Sequence, residues 1–378
     1  MEGLVTMATS PRPGLRETFA GRTVFVTGHT GFKGAWLCEW LLLLGAKVIG
    51  YSQPAPTEPA LFLQLELEGR IRHQLGEVRD ATALAAAVRA AEADFVFHLA
   101  AQPLVRQSYR EPVETYATNV LGTVHLLEAL RLAARPCVAL CITTDKCYEN
   151  RETLQAYRED DPLGGYDPYS SSKAAAELVV AAYRRSFFQE SAVSGVAVAS
   201  VRAGNVIGGG DWAPDRIVPD AMRALDRGDA IPVRNATATR PWQHVLEPLG
   251  GYLTLAAALA AARARSNAAR VAALAGAFNF GPRLDSNRDV VALVTEILKH
   301  RPGTWIDRSE APASHEAGKL NLATEKAFHL LGWQPAWDFA RTIAETVRWY
   351  TAAPHTDAGA FTRAQIAHYA TDAGAAYV

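Results

Sequence analysis

Short β-branched, apolar runs alternate along this chain with longer alanine- and leucine-rich stretches of helical spacing. Thr23–Thr27 is one such run; Gly28 ends it, and together they predict a first strand. A helical pattern follows over 33–44 and stops at Gly45. Lys47–Tyr51 predicts a second strand, and the three prolines of Ser52–Pro59 predict a loop. Ile71–Leu75, Asp94–His98, Cys137–Thr143 and Val196–Val201 predict further strands, with helices over 81–92, 113–133 and 172–188 between them. Strands taking turns with helices imply an α/β fold: a Rossmann-type, doubly wound parallel sheet covered on both faces.

After residue 203 the texture changes to short elements punctuated by Gly208, Gly209, Gly210, Pro214, Pro219, Pro232 and Pro241. A helix over 247–265 and a strand at Phe278–Phe280 return to the earlier style, and helices are expected over 288–299 and 338–350. We therefore expect a large domain from 16–204 and 243–281, and a smaller C-terminal α+β domain from 205–242 and 282–350. Pro11, Pro13 and Gly14 in the leader, and weak periodicity after Thr351, mark 1–15 and 351–378 as flexible or appended. Residues 1–20 read as a loose leader.

Composition narrows the class. Apolar residues make up 49% and charged residues 20%, ample for a buried core. Lysine plus arginine total 38 and aspartate plus glutamate 39, so no bulk field attracts nucleic acid or anionic lipid. An anionic ligand must be held by local cations. Of the 38, only 7 are lysines. No apolar run is long enough to span a membrane, and the N-terminus lacks the pattern of a secretory signal. Cys137, Cys141 and Cys147 cluster on and after a core strand, without the second Cys/His pair a zinc site needs, so no metal is expected. The expectation is a soluble cytoplasmic protein.

Five constellations carry candidate chemistry. Gly28-His-Thr-Gly31-Phe-Lys-Gly34 lies between the first strand and first helix, where glycines let the backbone approach a pyrophosphate at a helix N-terminus. Lys33 inside it either approaches the phosphates or is a solvated first-turn lysine. The second strand ends in Gly50-Tyr51-Ser52, with no acid for a ribose hydroxyl and no arginine for a 2′-phosphate, so this position does not separate NAD from NADP. Tyr169 and Lys173, four residues apart, share a helix face, and an ammonium beside a phenol lowers the phenol's pKa and makes it a base. Thr143-Thr144-Asp145-Lys146 sits at the C-terminal end of a buried strand, where open parallel sheets bind ligands. His98-Leu99-Ala100-Ala101-Gln102, Asn119 and Arg202-Ala-Gly-Asn205 provide small and polar residues after other strands. Arg234 and Arg240 suit a diphosphate, which arginine grips with forked hydrogen bonds.

These motifs, in this order, resemble the extended short-chain dehydrogenase/reductase superfamily, over roughly residues 20–350. The stretches GHTGFKG, TTDKCYEN, DPLGGYDPYSSSK, RAGNVIGGGDW and RPWQHVLEPL are most similar to its CDP-glucose 4,6-dehydratase branch. The resemblance implies NAD bound by the large domain, CDP-glucose bound by the smaller one, and a homodimer or homotetramer assembled through large-domain helices. It points to Gly28, Thr30, Gly31, Phe32, Lys33, Gly34, Glu77, Val78, Leu99, Ala100, Ala101, Gln102, Thr143, Tyr169, Lys173 and Arg202 for the cofactor, and to Asn205, Arg234 and Arg240 for the nucleotide. It implies that Tyr169, helped by Lys173, takes the proton of the sugar 4-hydroxyl, that Thr144 holds the oxygen at C4, and that Asp145 protonates the departing 6-hydroxyl. Lys146 stands where most sugar-nucleotide 4,6-dehydratases carry glutamate; it either removes the C5 proton as a neutral amine or stabilises the enolate as a cation. An NAD-dependent sugar-nucleotide 4-epimerase would share Tyr169 and Lys173 without needing Asp145 and Lys146, and a 4,6-dehydratase for another nucleotide sugar is a further alternative.

Overall fold

The computed structural model describes residues 14–153, 155–189, 195–309, 319–353 and 356–374. Seven strands form one parallel sheet: β1 (Thr23–Thr27), β2 (Lys47–Ser52), β3 (Arg72–Leu75), β4 (Phe95–His98), β5 (Cys137–Ile142), β6 (Val196–Arg202) and β7 (Ala277–Asn279). Their order is β7-β6-β5-β4-β1-β2-β3. The order reverses between β1 and β4, where Val24–Thr27 pair with Phe95–His98. That reversal opens a crevice at the strands' C-terminal ends.

Both faces of the sheet are covered, which is why β5 and β6 are buried along their whole length. The helices used below are α1 (Phe32–Leu43), α2 (Ala81–Ala91), α3 (Gly122–Ala133), α4 (Pro168–Tyr183), α5 (Leu246–Ala264), α6 (Phe339–Ala352) and α7 (Ala358–Ala373). One core joins α1 and α5 to the sheet through Trp36, Trp40, Leu249 and Leu253. The other joins α2, α3 and α4 through Leu84, Val88, Leu126, Leu130 and Val180. Residues after β6 add three two-stranded ladders: Val206–Ile207 with Gln243–His244, Thr239–Pro241 with Asn287–Asp289, and Ile231–Val233 with Trp305–Asp307.

The expected helix over 113–133 is not continuous. It comprises Pro112–Tyr116, a wide π turn at Ala117–Leu121, and α3. Such turns concentrate at functional sites, and this one carries Asn119.

Both expectations of loose termini need correction where the chain is described; residues 1–13 and 375–378 lie outside the described residues. Leu15–Phe19 is a short helix whose Leu15 and Phe19 are buried in the core. The tail forms the 16-residue helix α7, packed on α1 and α6. Its buried face is Ala358, Thr362, Gln365, Ile366, Tyr369 and Ala370. The burial is periodic but the hydrophobicity is not, because small and polar residues fill most of the stripe.

Candidate active site

The loop after β1 is dictated by close packing. Gly28 has φ +75°, and a Cβ there would sit 2.6 Å from the Ala100 backbone nitrogen, locking the ends of β1 and β4 together. A Cβ at Gly34 would overlap the Gly28 carbonyl. Gly31 differs: its φ is −76°, and a Cβ would make only ordinary contact, 3.5 Å from the Gly28 oxygen. The fold does not require glycine there. Gly31 is the N-cap of α1, and no side chain caps that helix. An uncapped helix N-terminus over a bare backbone is what a dinucleotide pyrophosphate needs, so these residues fit NAD.

At the end of β2, the Thr30 hydroxyl bonds Ser52 Oγ at 2.8 Å and donates to the Gln53 carbonyl at 3.0 Å. Glu77 is ion-paired with Arg79, which also reaches Glu114, while Val78 is buried against Gly122. His98 is fixed by Thr27 Oγ1 at 2.7 Å, and burial pushes its pKa down to about 3. Asn119 accepts from the Gln102 backbone N–H at 2.9 Å and donates to Ser172 Oγ at 2.9 Å, tying the loop after β4 to α4. The Gln102 side chain itself turns to Thr115 and Leu104. Leu99, Ala100 and Ala101 are half-buried beside the crevice.

Asp167 caps α4, accepting from the Ser170 N–H at 2.9 Å, with Pro168 in the first turn. This fixes Tyr169 and Lys173 at the inner end of the helix, both buried. Thr144 Oγ1 donates to Asp145 Oδ1 at 2.9 Å, and Thr144 and Asp145 both act on the Tyr169 phenol. The predicted tyrosine, threonine and aspartate are thus brought together in one cluster. Asp145 is 2% exposed; burial raises its pKa above the usual carboxylate range, against Lys146, Thr144 and Arg240, which favour the charged form. Its Oδ2 has no hydrogen-bond partner among the described residues. A Cβ at Gly204 would overlap that oxygen, so the residue opposite must be glycine.

One expectation is corrected. Lys173 was expected to depress the Tyr169 phenol, yet burial holds it at about 12, with Asp145 and Asp167 adding to the rise. Lys173 donates to the Ile142 carbonyl at 3.3 Å, and burial lowers its own pKa to about 8. Lys33 is half-buried, not solvated: burial, Arg216 and Lys173 lower its pKa to about 8, against Asp145, which favours its charged form.

Arg202 also departs from expectation. Its guanidinium turns inward to Glu177 at 2.9 Å and to the Tyr148 hydroxyl at 2.7 Å, and both ionic partners are 3% exposed. Glu177 further accepts from the Thr143 hydroxyl at 2.5 Å and Ser200 at 2.7 Å. Thr143 and Arg202 therefore brace the floor of the site through Glu177. The spacing Tyr169–Lys173–Glu177 already put that glutamate on the same helix face. Arg240 is buried, within electrostatic reach of Asp145. Arg234 is instead paired with Asp215 and, at 2.7 Å, Asp220. Asn205 takes a left-handed φ of +41° just after Gly204. Sequence reasoning missed Arg216, which pairs with buried Asp211 at 2.7 Å and faces Tyr169; nothing in its local sequence marks it. Among the described residues, no cluster of His, Cys, Asp and Glu suits a metal ion, and no helix is long and apolar enough to cross a membrane.

Residues 25–346 match the family described as GDP-mannose 4,6 dehydratase. The chain is 46% identical to a CDP-glucose 4,6-dehydratase of Salmonella typhimurium over 337 residues, 88% of this chain and 91% of that protein. It is 30% identical to a dTDP-glucose 4,6-dehydratase of Streptomyces griseus, covering 86% and 93% of the two chains. A crystal structure of DesIV, a dTDP-glucose 4,6-dehydratase from Streptomyces venezuelae with NAD and TYD bound, superposes with a TM-score of 0.71 at 24% identity, over 88% of this chain and 98% of that one. That likeness shows the shared Rossmann-type architecture. With the sheet, the glycine loop and the Tyr169, Thr144 and Asp145 cluster in place, the protein belongs to the nucleotide-sugar 4,6-dehydratase family.

Proposed function

We propose that this chain is an NAD-dependent lyase that converts CDP-glucose to CDP-4-keto-6-deoxyglucose. The observation that carries the reading is the buried Asp145 carboxyl, bonded to Thr144 and within electrostatic reach of Tyr169. An epimerase needs the tyrosine and lysine alone; removal of the 6-hydroxyl also needs an acid, and burial keeps this carboxyl protonated further up the pH scale. The choice of CDP-glucose is supported by the 46% identity to the Salmonella enzyme.

The proposed cofactor residues are those of the glycine loop with Thr30, Phe32, Leu99–Ala101, Tyr169 and Lys173. Held there, NAD would supply the hydride acceptor for oxidation at C4 and the hydride donor for C6. Tyr169 then removes the 4-hydroxyl proton, and Thr144 holds the resulting oxygen. The ketone acidifies C5, Lys146 is the proposed base for that proton, and Asp145 gives its own to the leaving hydroxyl. Residues 205–242 and 282–350, with Asn205, Arg234 and Arg240, are the proposed seat of the nucleotide diphosphate. Exposed apolar residues on the helices beside the site, Tyr109 (41%), Val113 (81%), Leu121 (50%) and Leu178 (58%), support a homo-oligomer built on that face.

Incubation with NAD and each of CDP-, dTDP-, UDP- and GDP-glucose tests the proposal. A 4-keto product, read by its alkaline absorbance, is expected from CDP-glucose alone. An epimer formed without loss of water would transfer the reading to an epimerase.

A further inference from the structure

Arg234, proposed above for the nucleotide diphosphate, is held by carboxylates of its own chain. It pairs with Asp215 and, at 2.7 Å, with Asp220. Asp215 is shared: Arg106 Nη1 lies 3.5 Å from Oδ1, the same oxygen that Arg234 Nη1 binds. The three residues come from three places. Arg106 is on the short helix Val105–Arg110, which follows β4 and packs on α4. Gln102 fixes the start of that helix, its side-chain oxygen accepting from the Leu104 N–H at 2.5 Å. Arg234 directly follows the strand Ile231–Val233, in the segment proposed for the nucleotide. Asp215 stands in the turn before the helix Ile217–Asp226. One guanidinium from beside the crevice and one from the nucleotide segment thus meet on a single oxygen.

The charges in this cluster do not balance. Asp220 also pairs with Arg223 at 2.5 Å, so among the described residues Arg106, Arg223 and Arg234 share two carboxylates, Asp215 and Asp220. The side chains stay open to solvent, 58% for Arg106, 38% for Arg234 and 39% for Asp215. Exposed ion pairs of this kind are weak, whereas forked contacts from two arginines to phosphate groups are strong. We propose that Arg106 binds the substrate diphosphate together with Arg234, and that Asp215 is a stand-in for that diphosphate, holding the two guanidiniums together until the nucleotide displaces it. The inference rests on the dehydratase reading above for the identity of the nucleotide. A ligand that must first displace an internal carboxylate binds with its affinity reduced by the share of molecules in which that carboxylate is in place. Removing the carboxylate therefore tightens binding.

Calorimetric titration of the NAD-loaded protein with CDP tests this. Asp215 has a left-handed φ of +63°, which asparagine also adopts readily, so Asp215→Asn removes the charge and keeps the turn. It should tighten CDP about 5-fold. Arg106→Ala should weaken CDP about 10-fold, as expected for losing a hydrogen bond between charged groups, and Arg106→Lys should recover part of the loss. A damaged fold does not produce a gain of affinity. Unchanged affinity in either Asp215→Asn or Arg106→Ala overturns the proposal, as does weaker binding by Asp215→Asn. Affinity for NAD, which depends on the glycine loop, should not move; a parallel change overturns the proposal. A crystal structure with CDP should show both guanidiniums on phosphate oxygens and Asp215 turned away; Asp215 still bridging them overturns it. If the wild type yields no keto product from CDP-glucose while the CDP affinities move as stated, the dehydratase reading falls and the diphosphate site stands.

Discussion

Lys173 is charged at neutral pH in surroundings that oppose charge: it is 6% exposed and its pKa is lowered to about 8. In an unfolded chain a lysine titrates near 10.4. Below pH 8 both states are protonated, so the full cost of burying the cation is present. Between about pH 8 and 10.4 the unfolded chain binds more protons, and folding stability rises with pH. Relative to Lys173→Met, the wild type should therefore gain stability across that window, by at most about 3 kcal/mol; denaturant titrations at pH 7.5 and 10 measure it, and a constant gap would refute it. Tyr169, Lys173 and Asp145 were legible because two fall at helix spacing and one at a strand end, both local signals. Gly204 was not, since it meets Asp145 only when β6 pairs with β5. Arg202 misled for the same reason. A buried guanidinium and a ligand-facing one look alike in sequence, and only Glu177 behind it decides.

The last helix shows how an element can be structural without announcing itself. Ala358, Thr362, Gln365, Ile366, Tyr369 and Ala370 form a stripe at helical spacing, but only Ile366 and Tyr369 are large and apolar. Polar members are satisfied inside: Gln365 donates to the Glu345 carbonyl at 2.9 Å, and Thr362 accepts from Trp349 Nε1 at 2.9 Å. Tyr369 stacks edge-on against Trp40 and Trp337 and donates to Glu247 at 2.8 Å. Glu247 is buried, and also accepts from the Trp337 N–H at 2.7 Å. Tyr369→Ala should accordingly cost about 3–5 kcal/mol, read as a lowered unfolding midpoint; a loss under 1 kcal/mol would mean the helix is dispensable. Most strands gave clearer signals because β1, β4, β5 and β6 are apolar or β-branched runs between turns. Their predicted limits agree with the observed ones to within a residue or two, from Thr23–Thr27 to Val196–Arg202.

At the scale of the whole molecule, the parallel sheet followed from the alternation of strands and helices. The reversal between β1 and β4, which opens the crevice, is a matter of strand order that periodicity does not encode. The helices flanking that crevice carry the exposed Val113, Leu121 and Leu178. If the proposed homo-oligomer is built on that face, Leu178→Arg shifts the protein toward monomer in sedimentation velocity; an unchanged sedimentation coefficient would refute that proposal. The tail's position has a consequence for how the chain is made. Glu39, in the first long helix, is fully buried, and its carboxylate is met by Arg70 at 2.6 Å and by Arg363 at 3.3 Å. The ribosome delivers Glu39 324 residues before Arg363, and β7 of the central sheet also follows well after Glu39. A nascent chain therefore carries its first glycine loop on a helix whose Trp40 side lacks its Tyr369 contact until residues 358–373 have emerged. Protection of that helix during translation falls to chaperones or to speed, and a premature stop shortly before residue 358 would release a protein with every proposed catalytic residue but an exposed tryptophan face.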